Sequence, residues 1–279
     1  MKGRIGIRKE DKDPTEKRAP LTPRHVKELI AKHDLEVYVR PSPSRVFTEE
    51  EYQSVGAVIE EDLSSCRVIL GVKEIPDERF RAEQAYCFFS HTIKGQAYNM
   101  GMLKHMMERK CTLIDYEKMT DRNGNRLVMF GEFAGYAGMI DSLWVLGERL
   151  KYEGFETPFL HLQQTRKYES LAEAKEAVRH VGAEIREHGL PEEIGPIICG
   201  FTGSGHVASG ALEIFDLLEP LSIEPEELRL FSQSPDSNKN AVFKVHFKRR
   251  HRVAPVDANQ AYDRDVFVQK PEQFESCFE

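Results

Sequence analysis

Short, uninterrupted apolar runs, each closing on charged or polar residues, constrain the fold of this chain most. "RVILGVKE" (67–74) and "AYCFFSHT" (85–92) show no apolar–polar alternation. Strands of that kind are buried on both faces, as in a parallel sheet. "RIGIRKE" (4–10), "LEVYVRP" (35–41) and "CTLIDYEKM" (111–119) read as further strands. Helical patterns separate them. "TPRHVKELIAKH" begins with Thr22 as cap and Pro23 in its first turn. "TEEEYQSVG" begins at Thr48 and stops at Gly56, and "GQAYNMGMLKHMMERK" follows later. This alternation predicts an α/β fold with an open sheet in the N-terminal part, residues 1–130.

Beyond it lies "GEFAGYAGMIDSLWVLGERL" (131–150), a long helix. Gly131, Ala134, Gly135, Ala137 and Gly138 suit close packing against another backbone. Glu132 and Asp141 argue against a membrane dimer motif. This helix and "SLAEAKEAVRHVGAEIREHG" form an expected bridge over 131–194. A second lobe, 195–279, follows.

That lobe opens with "PIICGFTGSGHVASGALEIF" (196–215). Gly203, Gly205 and Ala208 match G-x-G-x-x-G/A between a predicted strand and a predicted helix. Glycines allow a tight turn and close approach to a pyrophosphate, and the helix N-terminus offers N–H groups to it. The alternative is a purely structural turn. An acid about 20 residues on can hold a ribose hydroxyl, and Glu224 is suitably placed. It would favour NAD over NADP, unless it is an ordinary surface charge.

Three cations lie where strands or their loops end. Lys73 follows "RVILGV", His91 follows "AYCFFS", and Arg18 sits in "EKRAPLTP" after the first strand. Ligands of open α/β sheets bind at the C-terminal strand ends. A lysine buried there becomes an acid or base near neutral pH, and a histidine already titrates there. An arginine fork suits a carboxylate. Each residue alone also reads as a surface charge; their shared position is what suggests a site.

The net charge of −7 speaks against general nucleic-acid binding. "KRRHR" (248–252) reads as a solvated loop or edge strand rather than a phosphate site. Five scattered cysteines without a C-x-x-C pair read as reduced thiols. His161 and the other histidines lack metal-ligand spacing, so no metal is expected. The charged N-terminus is no signal peptide, and no apolar run reaches membrane-span length. A cytoplasmic protein is expected, or a mitochondrial-matrix one in a eukaryote, although no transit peptide is seen.

The segments "IGIRKED", "EKRAPLTPRHV", "ILGVKEIP", "FFSHTIKGQAYNMGML", "LIDYEKM", "FGEFAGYAGMI", "TPFLH" and "FTGSGHVASGALEIF" with "EPEEL" occur in order up to about residue 230. Through them the chain resembles lysine-ketoglutarate reductase, the N-terminal part of bifunctional aminoadipic semialdehyde synthase. It is similar, more distantly, to alanine dehydrogenase and the transhydrogenase N-terminal region. The resemblance implies two lobes, the second a Rossmann-type nucleotide lobe. It implies condensation of L-lysine with 2-oxoglutarate and reduction of the imine to saccharopine by NADP(H) or NAD(H). NADPH is common in such enzymes, in tension with Glu224. By position, Lys73 and His91 would be the acid/base pair, and Arg18 would hold a substrate carboxylate. Glu117, in "DYEKM", would line the same pocket. Gly203, Gly205 and Ala208 would hold the cofactor pyrophosphate.

Against the family pattern, the second lobe ends before all strands of a dinucleotide fold can be placed. A piece of a longer protein, a shortened reading frame or a divergent short protein would each look like this. The alternatives are an alanine dehydrogenase, a lysine-forming saccharopine dehydrogenase, or a truncated ligand-binding protein without catalysis. Homo-oligomerisation is left open.

Overall fold

The computed structural model describes residues 2–194, 196–233 and 240–278. The chain divides into two compact units, Met1–Met129 and Phe130–Glu279.

In the first unit six strands form one parallel sheet. They are β1 (Gly3–Ile7), β2 (Leu35–Val39), β3 (Val58–Ile59), β4 (Val68–Leu70), β5 (Ala85–Phe88) and β6 (Thr112–Asp115). Their order is β3-β2-β1-β4-β5-β6. Ile7 pairs with Val39 on one side and Leu70 on the other. Helices α1 (Pro23–His33), α2 (Glu49–Ser54) and α3 (Ala97–Glu108) lie in the connections. Thr22 and Thr48 cap the first two, accepting from the N–H of His25 and Glu51.

Val37 and Val39 are buried with Ile7, Val26 and Tyr52, while Tyr38 between them packs with Ile69, Phe80, Tyr86 and Phe88. Successive side chains of a strand point to opposite faces, so the sheet has a core on each face. That is why the strands read as continuous apolar runs. The strand order reverses direction once, between β1 and β4, which is where doubly wound sheets open a crevice. The two-residue β3 was not anticipated; it is too short to leave a pattern.

The second unit contains α4 (Gly131–Tyr152), α5 (Leu171–His188), β7 (Ile198–Thr202), α6 (His206–Asp216), β8 (Leu221–Ile223), α7 (Leu228–Gln233), β9 (Phe243–Phe247), β10 (Val253–Pro255), α8 (Arg264–Gln269) and β11 (Phe274–Ser276). Parallel strands run in the order β7-β9-β8, and β10 pairs antiparallel with β11. Residues 131–194 do not stand apart as a bridge. Ile140 and Leu143 of α4 and Val178, Val181 and Ile185 of α5 share one core with Phe201, Ile214 and Phe215. The expected boundary at Gly195 lies outside the described residues.

The small residues of α4 do pack against backbone. A methyl on Gly135 would overlap the Val207 carbonyl of α6, and one on Gly210 would overlap the Glu132 carbonyl of α4. Among the described residues no helix is long and apolar enough to cross a membrane.

Candidate functional site

In the first unit, the ends of β1, β4, β5 and β6 bring the candidate residues to one edge of the sheet. Glu10, three residues past β1, is buried. Its two oxygens accept from the N–H groups of Val72 (2.8 Å) and Lys73 (3.0 Å), just past β4. The chain segments that leave β1 and β4, where the strand order reverses, are therefore tied together by a carboxylate that fixes the Lys73 backbone. Burial pushes the Glu10 carboxyl above its ordinary value, against the pull of Arg8 and the two N–H donors. Arg8 Nη1 lies 3.3 Å from Glu10, and the same guanidinium bonds Asp11.

Past β4 and β5 the strands stay in register, with the Phe89 N–H donating to the Val72 carbonyl at 3.1 Å. Lys73 follows this bond by one residue and His91 by two. Lys73 and His91 are both partly buried. The His91 backbone is left-handed (φ 54). The bonds that hold its neighbours are specific. The Ser90 carbonyl accepts from Asn99 at 3.1 Å, Ser90 Oγ accepts from the Thr92 N–H at 3.2 Å, and Ser90 Oγ bonds the Asp115 carboxylate. A non-glycine residue in that region needs such a frame.

The His91 ring stands between unlike charges. Its Nδ1 is 3.2 Å from Glu117 Oε2 and 3.1 Å from Lys94 Nζ. Lys94 Nζ is 3.1 Å from Glu117 Oε1, and Arg126 is 3.7 Å from the same oxygen. A protonated Nδ1 donates to Glu117, whereas a bare Nδ1 accepts from Lys94. Either protonation state of the ring nitrogen has a partner, which suits a group that must take up and release a proton. Burial alone would raise the Glu117 carboxyl; Lys94 and His91 outweigh it and hold the group below its ordinary value.

Arg18 lies on the loop after β1. Its Nε and Nη2 donate to the two oxygens of Glu16 at 2.8 and 2.6 Å. The fork expected to face a substrate carboxylate thus holds the protein's own carboxylate. Arg18 first, and Lys73 after burial is set against it, keep the Glu16 carboxyl below its ordinary value. Glu10, Glu16 and Lys94 escaped sequence reasoning. Lys94 had a signal, since it follows His91 by three residues and shares its tight turn. The two acids sit in strongly charged loops where nothing distinguishes them.

In the second unit the glycine turn joins β7 to α6, as the motif predicts. Gly203 has φ +92, which favours glycine, and Gly205 is the N-cap of α6. Nothing lies within 4 Å of a Cβ position at either residue. His246 of β9 bonds the Gly203 carbonyl at 2.6 Å and so ties the turn to its neighbouring strand. Ala208 is in the first turn of α6, but the close helix contact is made by Gly210.

Glu224 is elsewhere. It follows β8, which β9 separates from the glycine strand, and it does not line the cavity at the turn. The strand beside β7 is β9, and the residue at its end is Lys248. "KRRHR" forms the exposed loop that was expected, with Lys248, Arg249 and Arg250 open to solvent, but its position is specific. Lys248, Arg249, Arg250 and Arg252, together with Arg264, ring a cavity of about 530 Å³ whose floor includes Gly203 and Gly205. Arg252 Nε is buried and, among the described residues, has no hydrogen-bond partner. Open space over a glycine turn, a helix N-terminus and a buried donor lacking an acceptor together fit an anionic group such as a dinucleotide phosphate.

Residues 6–137 match the family described as "Alanine dehydrogenase/PNT, N-terminal domain". The mitochondrial alpha-aminoadipic semialdehyde synthase of Mus musculus is 40% identical over 274 residues, covering 98% of this chain and 29% of that protein. A saccharopine dehydrogenase (NAD(+), L-lysine-forming) of Candida glabrata is 38% identical over 131 residues, 45% of this chain and 35% of that one. The chain thus spans about a third or less of the length of these relatives. Among solved structures, an L-alanine dehydrogenase covers 88% of the chain at TM-score 0.55 and 17% identity, over 60% of its own length, and shares the fold. Residues 6–137 thus match the alanine dehydrogenase/PNT N-terminal domain family, and the chain is similar over nearly its whole length to one part of the alpha-aminoadipic semialdehyde synthases.

Proposed function

We propose that this chain carries lysine-ketoglutarate reductase chemistry: it condenses L-lysine with 2-oxoglutarate and reduces the product imine to saccharopine. The observation that carries the reading is the His91–Glu117–Lys94 cluster at the strand ends next to Lys73. Relatives named for aminoadipic semialdehyde synthase and lysine-forming saccharopine dehydrogenase support the choice of substrates.

The reaction needs several proton movements. The side-chain amine of lysine adds to the ketone carbon, forming a C–N bond as the C=O π bond opens onto the oxygen; the nitrogen gives up a proton and the oxygen takes one up, giving the carbinolamine. The carbinolamine oxygen takes up a proton and leaves as water. His91 has partners for both of its states and serves as the shuttle. Lys73, held through its backbone by Glu10, faces the same edge and serves as the second acid/base. Arg18 binds a substrate carboxylate in exchange for Glu16, a fork-to-fork replacement. Glu117 accepts a hydrogen bond from Nδ1 of the imidazolium and orients the ring.

A reduced nicotinamide cofactor, when bound, supplies the hydride that completes the imine carbon. Gly203, Gly205 and the first turn of α6, with Ala208, would cradle its pyrophosphate. We assign NADPH as the preferred form. Lys248 follows the strand next to the glycine strand, where an NAD enzyme carries its ribose-binding acid, and four arginines line the same cavity. Glu224 is displaced to the far strand and does not hold the ribose.

The test is direct. The purified chain is mixed with L-lysine, 2-oxoglutarate and NADPH, then NADH, and absorbance of the reduced nicotinamide is followed. Oxidation that requires both substrates and runs faster with NADPH is the expected result. Oxidation with pyruvate and ammonia in place of that pair would make it an alanine dehydrogenase. NADPH bound without turnover with any pair would leave a binding protein and overturn the reading.

A further inference from the structure

Away from both strand-end sites, the second unit assembles a set of metal-ligating side chains that no sequence spacing announces. His180 and Glu184 lie one turn apart on α5, so they share a face. His161 is 19 residues earlier and ends a short 3-10 turn, Pro158–His161. The fold brings it over that face. His161 Nδ1 is 2.8 Å from Glu184 Oε2, and His180 Nε2 is 3.3 Å from Glu184 Oε1. The three side chains offer ligand atoms that all lie within 4.8 Å of one another.

We propose that His161, His180 and Glu184 form a binding site for a divalent transition-metal ion, Zn²⁺ by its chemistry. Two imidazole nitrogens and one carboxylate are the donor set that zinc accepts in a tetrahedral site with the fourth position left to water. Imidazole also selects against the hard cations Mg²⁺ and Ca²⁺, which take oxygen donors. Only one acidic group is present, so the cluster is not a surface patch of acids.

The scaffold is rigid where a site needs it to be. Phe159 and Leu162 are buried on either side of His161 along the chain. A methyl on Gly147 of α4 would sit 2.7 Å from the Phe159 carbonyl carbon, so the turn is seated directly on helix backbone. On α5, Val181 directly follows His180 and Ile185 directly follows Glu184, and both are fully or almost fully buried. All three ligands therefore project from backbone anchored in the same core. Half or more of each imidazole is exposed, so the ion has an open approach. The bound ion would clamp the 158–161 turn to α5.

The experiment uses the full chain, stripped of metal, and titrates it with Zn²⁺ and separately with Co²⁺. One equivalent should bind. The Co²⁺ form should show the visible bands of a four-coordinate ion without the sulfur charge-transfer band of a cysteine site. His161→Ala, His180→Ala and Glu184→Gln should each weaken binding at least about tenfold, and the Zn²⁺-dependent rise in Tm should vanish with it. The side chains are exposed or partly so, and the metal-free Tm of each variant checks its folding. A variant with a lowered metal-free Tm is replaced by its His→Gln counterpart. Binding that survives all three substitutions, a sulfur band, or no saturable binding would each overturn the site.

Discussion

Glu117 Oε2 lies 3.2 Å from Nδ1 of His91, and the same imidazole nitrogen lies 3.1 Å from the Lys94 ammonium. The ring has a partner in either protonation state, and Lys73 stands at the end of the adjacent strand. Replacing His91→Gln or Lys73→Met removes a proton-transfer group without touching the glycine turn. Turnover is expected to fall by about 10²–10⁴-fold, with the dissociation constant for NADPH unchanged. Steady-state rates and cofactor-fluorescence titration on the same preparations check this. Undiminished turnover in both variants would remove these residues from the mechanism.

Glu117 and Glu10 should act on stability with opposite pH dependence. The Glu117 carboxyl is held below its unfolded value, net of the burial that opposes it. Its contribution is complete above an unfolded pKa of about 4.3 and is lost as pH falls through the lower folded value. The Glu10 carboxyl is raised by burial. Its contribution is complete below about pH 4.3 and is lost as pH rises through the higher folded value. The stability difference between wild type and Glu117→Gln should therefore grow with pH, and that between wild type and Glu10→Gln should shrink. Urea unfolding from pH 3.5 to 7 measures both; parallel trends would contradict the assigned environments.

Much of this was legible in the chain because the signals were local. Thr22 and Thr48 cap the helices they were expected to cap. Val68–Leu70 and Ala85–Phe88 pair as parallel strands, because strands covered on both faces cannot alternate. What was not legible depends on chain segments meeting. Glu10 is one acid among several in "RKEDKD" until the fold sets it under the N–H groups of residues 62 and 63 positions away. "KRRHR" has no phosphate spacing of its own; it gains meaning because β9 inserts between β7 and β8 and delivers it to the glycine turn. That insertion also misplaced Glu224, since the motif rule assumes that the next strand in sequence is the next in space.

Arg252 gives the anion cavity a sharp test. Its Nε is buried and has no hydrogen-bond partner among the described residues. An orphaned buried donor disfavours the ligand-free protein by about 1–3 kcal/mol, and a hydrogen bond to a charged group is worth about 1.5–3 kcal/mol. Arg252→Ala should weaken NADPH binding by about ten- to a hundredfold while leaving the ligand-free protein as stable as before, or more so. Affinity by calorimetry and stability by urea melts separate the two effects. Loss of stability with unchanged affinity would mean that Arg252 supports the fold and not the ligand.

Two glycines of α4 meet opposite surroundings. Gly135 faces the Val207 carbonyl of α6, and an added methyl would overlap it. The obstacle is backbone, so no side chain can swing aside. Overpacking of that kind typically destabilises by about 1–3 kcal/mol, which more than offsets the gain of about 1 kcal/mol from replacing a helical glycine by alanine. Gly138 lies three residues further along α4, and nothing is within 4 Å of its Cβ position. There the helix-propensity gain stands alone. Gly135→Ala should lower the urea midpoint and Gly138→Ala should raise it, with Gly210→Ala, against the Glu132 carbonyl, following Gly135. A stabilised Gly135→Ala would mean that α4 and α6 do not lie in backbone contact, and the placement of α4 in the core of the second unit would have to be redrawn.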